Sequence, residues 1–210
     1  SITFNLYAPG ADTSTATPLY TETVATNGAG NYSTTSGFSP TLVGQYTWLV
    51  SYSDAHVTGV PASNVENETV AKATPTITTQ ASQTLNGVVG QALLSDSVTV
   101  AGSYNGTGTV NFTVTNPDGT TSNVGSVSIN GNGTYASPTF VATQVGTYTW
   151  SAAYSGDSLN NGAIDNGQNE SVTTIKASPC IITCASFTGT SAVNSALPQD
   201  SAVVSNAYGA

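Results

Sequence analysis

Two lysines, Lys72 and Lys176, are the only lysine or arginine side chains in the sequence, and each precedes an Ala-x-Pro tripeptide. An Asn-Glu pair, Asn169 and Glu170, lies near the end of the segment that begins at Lys72. A neutral lysine amine can attack an asparagine side-chain amide when a neighbouring carboxylate transfers the protons. Lys72, Asn169 and Glu170 are therefore the candidates for an isopeptide crosslink. The competing interpretation is a solvated lysine at a domain junction, since most lysines are exposed.

Oxygen-bearing side chains gather in the same part of the chain. Asp157, Asp165 and Glu170 alternate with several asparagines. Carboxylate and amide oxygens of this kind could hold calcium at extracellular concentrations, although the spacing matches no EF-hand loop. Turns are also rich in Asp and Asn because these side chains bond to their own backbone. Calcium binding by Asp157, Asp165 and Glu170 is one hypothesis, and turn formation is the other.

The two cysteines, Cys180 and Cys184, are separated by three residues. In a straight strand their Cα atoms would be about 13 Å apart, which is too far for a disulfide. A bulge or turn after Pro179 could bring them together, or each could pair with a cysteine outside this segment. No histidine lies nearby, so an oxidised state is favoured over zinc binding in an extracellular protein.

Catalysis and several classes of partner are disfavoured by the composition. His56 is the only histidine, and no nucleophile arrangement accompanies it, so we expect no catalytic triad and no enzyme. Two lysines against eleven acidic residues cannot neutralise the phosphates of nucleic acid or an anionic membrane surface. No apolar run reaches the ~20 residues of a membrane span. The low charge and scarcity of tryptic sites fit an extracellular or cell-surface location.

The elements that position these residues are repeated along the chain. The segment VGQYTW at 43–48 returns as VGTYTW at 145–150, and matches on both sides give a period of 102 to 104 residues. We therefore expect the later two thirds of one repeat at 1–71, a complete repeat at 72–175 and the opening third of another at 176–210. The last segment is expected to complete the 1–71 portion of a neighbouring unit.

Alternation of apolar and polar residues in the complete repeat predicts seven short strands, with no helical periodicity. Asn-Gly and Asp-Gly turns separate them. Seven strands in about a hundred residues indicate an all-β sandwich. The predicted strands are Thr76–Ser82, Ser97–Tyr104, Thr109–Thr115, Asn123–Ile129, Tyr135–Val141, Tyr148–Ser155 and Glu170–Ile175.

A Gly-x-Tyr-x-Trp motif occurs in both repeats and is similar to the tyrosine corner of immunoglobulin-like sandwiches. Its Tyr and Trp are two residues apart, so they share one face of a strand and are expected in the core. With the YSGD and Asn-Glu-x-Val segments that follow, the motif resembles bacterial immunoglobulin-like tandem repeats of large extracellular surface and adhesin proteins. The resemblance covers essentially the whole chain and implies tandem immunoglobulin-like β-sandwiches of about seven strands per repeat. The motif residues are Gly44, Tyr46, Trp48, Gly146, Tyr148 and Trp150.

Two functions compete at this point. The resemblance implies a structural module of an extracellular fibre, stalk or filament, whose partners are copies of itself or adjacent repeats, packed head to tail. The alternative is an adhesive module that binds carbohydrate, with or without calcium, through exposed tyrosines. The candidate tyrosines are Tyr7, Tyr20, Tyr52 and Tyr154, of which Tyr52 and Tyr154 point to the core side by strand parity. Six Asn-x-Ser/Thr sequons, at Asn31, Asn67, Asn105, Asn111, Asn132 and Asn169, could carry glycans.

Overall fold

A computed structural model describes residues 1–57, 59–61, 65–83, 87–168, 170–185, 193 and 199–208, with only the backbone of Gln83. Within those residues the regular structure consists of sixteen β-strands in antiparallel sheets. The protein is therefore all-β. The same part of the chain contains no helix of the length and apolarity that a membrane crossing requires.

The chain divides into two compact units. Unit 1 comprises residues 1–74 and 157–161, and unit 2 comprises residues 75–156 and 162–210. The division at Thr74 lies three residues after the boundary expected from the repeats. The segment 176–210 groups with unit 2.

Unit 1 contains one antiparallel sheet among its described residues. Its strands are β1 (Ile2–Tyr7), β2 (Tyr20–Val24), β3 (Gly44–Tyr52), β4 (Val60–Pro61) and β5 (Glu66–Val70). Strand β1 lies between β2 and β3, and β3 also pairs with β4 and β5. The register places Trp48 of β3 opposite Leu6 of β1. Alternation along β3 sends Tyr46, Trp48 and Val50 to one face of this sheet.

Apart from its last two strands, unit 2 contains two antiparallel sheets on either side of one core. The first consists of β6 (Thr76–Gln83), β7 (Leu93–Ala101), β10 (Gly133–Ala136) and β11 (Phe140–Val141). The second consists of β8 (Thr109–Thr115), β9 (Thr121–Ser128), β12 (Gly146–Tyr154), β13 (Ala163–Asp165) and β14 (Ser171–Thr174). Both contribute to a single cluster of buried side chains that includes Val98, Val100, Phe112 and Trp150. Strict alternation along β7 buries every second residue from Leu94 to Val100, as expected for a strand with one face against a core.

The nine strands of this region include a counterpart of each of the seven expected ones, with three main differences. The expected strand Ser97–Tyr104 begins earlier, at Leu93, and ends at Ala101. The expected strand Tyr135–Val141 is divided into β10 and β11 around Pro138, because proline has no amide hydrogen to donate to a ladder. The short strand β13 was not expected from the sequence. Its three residues are too few to show a period.

A separate two-stranded sheet is formed by β15 (Cys180–Ala185) and β16 (Asp200–Ser205), called here the C-terminal hairpin. All twelve of its residues are exposed. Just after β16 the ring of Tyr208 lies against Gly90 of the same unit, so closely that an added Cβ at Gly90 would meet the ring carbon Cδ2 at 1.9 Å.

The glycines of the two Gly-x-Tyr-x-Trp motifs are required by both conformation and space. Gly44 and Gly146 have φ of 133° and 134°, in the region that favours glycine. A Cβ at either position would lie 2.8 Å from the Cβ of a proline in the turn after the first strand of the sheet, Pro9 or Pro117. The two motifs therefore make the same close approach.

Candidate assembly surfaces

The tyrosines of the two motifs make the same pair of hydrogen bonds. Tyr148 Oη donates to the carbonyl of Gln144 at 3.0 Å and accepts the amide of the same residue at 2.7 Å. Tyr46 Oη donates to the carbonyl of Leu42 at 3.1 Å and accepts its amide at 3.0 Å. Both tyrosines are buried. Each hydroxyl therefore closes the turn that leads into its strand.

The tryptophans of the two motifs have different surroundings, although their strands have the same pairing. Trp150 lies opposite Val114, as Trp48 lies opposite Leu6. Trp150 is completely buried, whereas Trp48 is half-buried. Four residues further along, Tyr154 is 3% exposed, and its counterpart Tyr52 is 36% exposed.

The difference follows from what covers each sheet. In unit 2 the inward side chains of β6 and β7, including Ile77 and Val100, belong to the same buried cluster as Trp150. The described residues of unit 1 form no second sheet over the corresponding face. A groove remains there, lined among others by Leu6, Phe38 and Trp48. This uncovered surface of unit 1 is called the Trp48 face.

The C-terminal hairpin repeats the pairing of the two strands that cover Trp150. In unit 2, Thr76 pairs with Ala101 and Gln80 with Ser97. In the hairpin, the pairs are Cys180 with Ser205 and Cys184 with Ser201. Every hairpin residue is 104 positions after its counterpart, on both strands. The hairpin is therefore equivalent to the β6–β7 pair in register as well as in sequence.

The inner face of the hairpin is exposed where its counterpart is buried. Ile181 corresponds to Ile77 by the constant shift, and Val204 corresponds to Val100. Ile77 and Val100 are 7% and 1% exposed, whereas Ile181 and Val204 are 65% and 56% exposed. The molecule thus presents two uncovered apolar surfaces, and unit 2 shows how surfaces of these two kinds pack together.

Carboxylates accept the backbone amides of three successive residues of β6 in unit 2. Asp96 is 2% exposed, and burial raises its pKa to about 6; the nearby Glu170 and Asp165 add to this, and the amides of Ser97 and Gln80 oppose it. One of its oxygens, Oδ2, is buried without a described hydrogen-bond partner. The amides of three successive β6 residues donate to carboxylates: Thr79 to Asp165, Gln80 to Asp96 and Ala81 to Glu170.

Sequence reasoning missed the role of Asp96. Its only signal is position, because it takes an inward place in the alternation of β7, between Leu94 and Val98. An isolated acidic residue at an inward position requires hydrogen-bond partners in the core. Its partners are the backbone amides of Ser97, the next residue in β7, and of Gln80 in β6, and backbone amides carry no sequence signature.

The expected calcium ligands are engaged with backbone amides. Asp157 Oδ1 accepts the amides of Leu159 and Asn160 at 2.7 and 2.8 Å. Asp165 accepts the amides of Thr79 and Gly167, and hydrogen bonding to Gly167 and, to a smaller extent, to Thr79 lowers the pKa of Asp165. The part of the chain that the structure describes contains no group of three His, Cys, Asp or Glu that could hold a metal ion.

The residues of the expected isopeptide are only partly described. Lys72 is exposed, and its Nζ donates to the carbonyl oxygen of Asp157 at 2.5 Å within unit 1. The chemistry requires a buried lysine. Glu170 accepts the amide of Ala81, and Asn169 lies outside the described residues. The crosslink stays a prediction.

Both cysteines are free and exposed. Strand β15 pairs with β16 without a break from Cys180 to Ala185, so no bulge brings the two thiols together. His56, the lone histidine, is exposed and lies 4.0 Å from Asp54, with which it shares a loop. Neither observation adds a catalytic group.

The candidate tyrosines do not form one exposed patch. Tyr7 and Tyr154 are buried. Tyr20 packs edge-on against Trp48, with ring centroids 5.9 Å apart, and its hydroxyl bonds to Glu22 and Ser36. Tyr20 therefore belongs to the border of the Trp48 face.

No protein-family model, curated protein or solved structure matches this chain. Function must therefore be inferred from the Trp48 face and from the hairpin, which has the register of β6–β7.

Proposed function

We propose that the chain is a structural repeat module of an extracellular fibre, stalk or filament of the surface-adhesin type, built from immunoglobulin-like sandwiches completed end to end. The C-terminal hairpin of one copy covers the Trp48 face of the next. The observation that carries the proposal is the constant shift of 104 residues between β6–β7 and β15–β16, together with the exposure of Ile181 and Val204.

The energetics favour this packing. Burial of a valine or isoleucine side chain stabilises by about 2 kcal/mol. Ile181 and Val204 on one side, and Trp48, Val50 and Tyr52 on the other, would all lose water contact together. The gain is offset in part by the translational and rotational entropy of association.

The geometry of the contact sets the kind of assembly. The two surfaces differ and lie on different units, so the contact is heterologous and leaves one surface open at each end. A contact of this kind that does not close into a ring produces a filament. In a longer chain with the same repeats, adjacent segments would make the same contact.

The experiment compares two neighbouring valines on opposite faces of β16. Val204→Asp introduces a charge on the inner face, and Val203→Asp places the same charge on the outer face as the matched control. Both valines are exposed, so both variants should fold. Under reducing conditions, light scattering and electron microscopy should show concentration-dependent chains for the wild type and Val203→Asp.

Val204→Asp should remain monomeric. Equal assembly of the two variants, or a monomeric wild type at all concentrations, would overturn the end-to-end proposal. If the wild type is monomeric and Trp48 becomes more exposed in Val204→Asp but not in Val203→Asp, the hairpin covers the Trp48 face of its own chain.

One observation favours a second candidate function, glycan binding at the same groove. Tyr20, Phe38 and Trp48 lie beside one another there, with ring centroids 6.3 and 5.9 Å from that of Tyr20. Aromatic side chains with polar neighbours suit sugar rings. Titration of Val204→Asp with monosaccharides and disaccharides, with calcium and then with a chelator, should change the Trp48 fluorescence if this function holds. Fluorescence that does not change with any sugar would contradict glycan binding at this groove.

A further inference from the structure

The outer face of the C-terminal hairpin departs from the pattern of its counterpart. The corresponding β6 residues Thr76, Thr78 and Gln80 are polar and exposed. In β15 they are replaced by Cys180, Ile182 and Cys184. On the neighbouring strand, Thr99 is replaced by Val203. Ile182 and Val203 are 63% and 64% exposed, so the hairpin is apolar on both faces.

The outer edge of β15 also lacks the protection that β6 has. Exposed strand edges invite pairing with another chain, and proteins discourage it with charges, prolines, bulges or a covering segment. The edge amides of Thr79 and Ala81 are occupied by Asp165 and Glu170. No described carboxylate receives the equivalent amides of Thr183 and Ala185, and β15 itself contains no charge, proline or glycine.

The register fixes which β15 residues would face a new strand. Because Thr79 and Ala81 direct their amides away from β7, Thr183 and Ala185 direct theirs away from β16. Cys180, Ile182 and Cys184 are then the non-hydrogen-bonded positions at the open edge. Opposite residues at such positions in an antiparallel pair have Cα atoms about 4.5 Å apart. That separation lies within the range for a disulfide.

We propose that β15 is a junction between two copies of this chain. Two β15 strands pair antiparallel about Ile182, with Ile181 and Thr183 exchanging backbone hydrogen bonds. This register places Cys180 of each copy opposite Cys184 of the other, so two disulfides join the strands. The two Ile182 side chains meet at the centre, with Val203 beside each.

The chemistry requires an oxidant. Each disulfide forms from two thiols, with loss of two protons and two electrons. Dioxygen can accept the electrons. Alternatively, one cysteine thiolate attacks a small-molecule disulfide, forms a mixed disulfide and releases one small thiol. The second cysteine then attacks the mixed disulfide and releases the other small thiol. The extracellular setting that belongs to the proposed function supplies oxidants of both kinds.

The junction uses a different surface of the hairpin from the face that end-to-end packing buries. End-to-end packing uses the inner face of the hairpin, and the junction uses its outer edge and outer face. In unit 2 the equivalent edge amides are taken by Asp165 and Glu170, so the junction is expected for hairpins whose outer edge is free. Val204→Asp, which disrupts end-to-end packing, leaves the cysteine face unchanged, so the two proposals can fail separately.

The test oxidises the chain with oxidised glutathione and follows it by non-reducing electrophoresis and intact mass. The wild type and Val204→Asp should give a covalent dimer, reversed by reductant, with peptide mapping that links Cys180 to Cys184 of the other copy. Cys180→Ser and Cys184→Ser should each lower dimer yield about tenfold or more, because identical cysteines are out of register. A mixture of the two variants should regain a dimer with one disulfide.

Three results would overturn the junction. The first is equal dimer formation by each single-cysteine variant alone, which is the behaviour of any exposed thiol. The second is a disulfide between Cys180 and Cys184 of one chain. The third is a wild type that stays monomeric under oxidation.

Discussion

Trp48 and Trp150 occupy the same position in equivalent strands, but only Trp150 is sealed in a core. Each lies four residues before a tyrosine and opposite an apolar residue of the neighbouring strand. Unit 2 supplies β6 and β7 to cover Trp150, whereas the described residues of unit 1 leave Trp48 half-buried. The molecule therefore has both an uncovered sheet face and a pair of strands equivalent to the pair that covers Trp150, which supports the proposed end-to-end assembly.

The two tryptophans should differ in their contribution to stability. Replacement of a fully buried Trp by Ala typically costs 3 to 5 kcal/mol, so Trp150→Ala should lower the free energy of unfolding of unit 2 by about that amount. Trp48→Ala should cost unit 1 of the monomeric Val204→Asp protein less than half as much. Urea unfolding followed by circular dichroism measures both, and equal costs would contradict the assignment of an uncovered face.

Gly146 should tolerate no side chain. An alanine there would adopt an unfavourable positive φ and place its Cβ 2.8 Å from the Cβ of Pro117. We expect Gly146→Ala to destabilise unit 2 by about 2 kcal/mol or more. Gly119 is the control, because its φ is also positive, at 84°, but no atom lies within 4 Å of an added Cβ. Gly119→Ala should therefore cost only about 1 kcal/mol in thermal unfolding.

Tyr148 should contribute mainly through its hydroxyl. Tyr148→Phe keeps the ring but leaves the amide of Gln144 without the hydrogen bond at 2.7 Å. Loss of that partner should cost about 1 to 3 kcal/mol. Tyr46→Phe should likewise lower the free energy of unfolding of unit 1. Denaturant midpoints with unchanged slopes would measure both costs, and a neutral Tyr148→Phe would show that the hydroxyl bonds add nothing.

Asp96 should make unit 2 less stable as the pH rises towards neutrality. Its pKa is about 6 in the folded state, above the ordinary value of 3.8, so the folded state binds its proton more tightly. The contribution is fully present below pH 3.8 and is lost as the pH rises through about 6. The difference between the two pKa values corresponds to about 3 kcal/mol at most in the free energy of unfolding.

Asp96→Asn should remove this dependence, and thermal unfolding between pH 4 and 7 provides the measurement. The effect of Asp165 on stability has the opposite pH dependence. The hydrogen bond from the Gly167 amide lowers the pKa of Asp165, so its contribution to the stability of the folded state is lost as the pH falls. Asp165→Asn is the matched control. If Asp96→Asn and the wild type lose stability in parallel from pH 4 to 7, Asp96 is not the group that titrates.

The sequence predicted the parts of this structure that depend on local pattern. The alternation in Thr109–Thr115 gave the bounds of β8, and the Gly-x-Tyr-x-Trp spacing indicated the inward faces of Tyr148 and Trp150. These features depend on residues close together in the chain. The interruption of Tyr135–Val141 at Pro138 was overlooked, although proline gives a local signal for it.

The remaining features depend on contacts between distant residues. Asp165 reaches the amide of Thr79, and Glu170 reaches that of Ala81, across 86 and 89 positions. The sequence predicted that the cysteines form disulfides but left their partners open. Only the unbroken β15–β16 register shows that both lie on an exposed outer face. Such relationships require the pairing of strands to be known.

The most direct measurement of end-to-end completion is the fluorescence of Trp48 as the concentration of the reduced protein increases. The chain contains only two tryptophans, and Trp150 is already fully buried, so a change reports on Trp48. We predict a blue shift and loss of acrylamide quenching with increasing concentration in the wild type and in Val203→Asp, and no change in Val204→Asp. Fluorescence that is independent of concentration, with Trp48 equally open to quencher in all three proteins, would contradict the account.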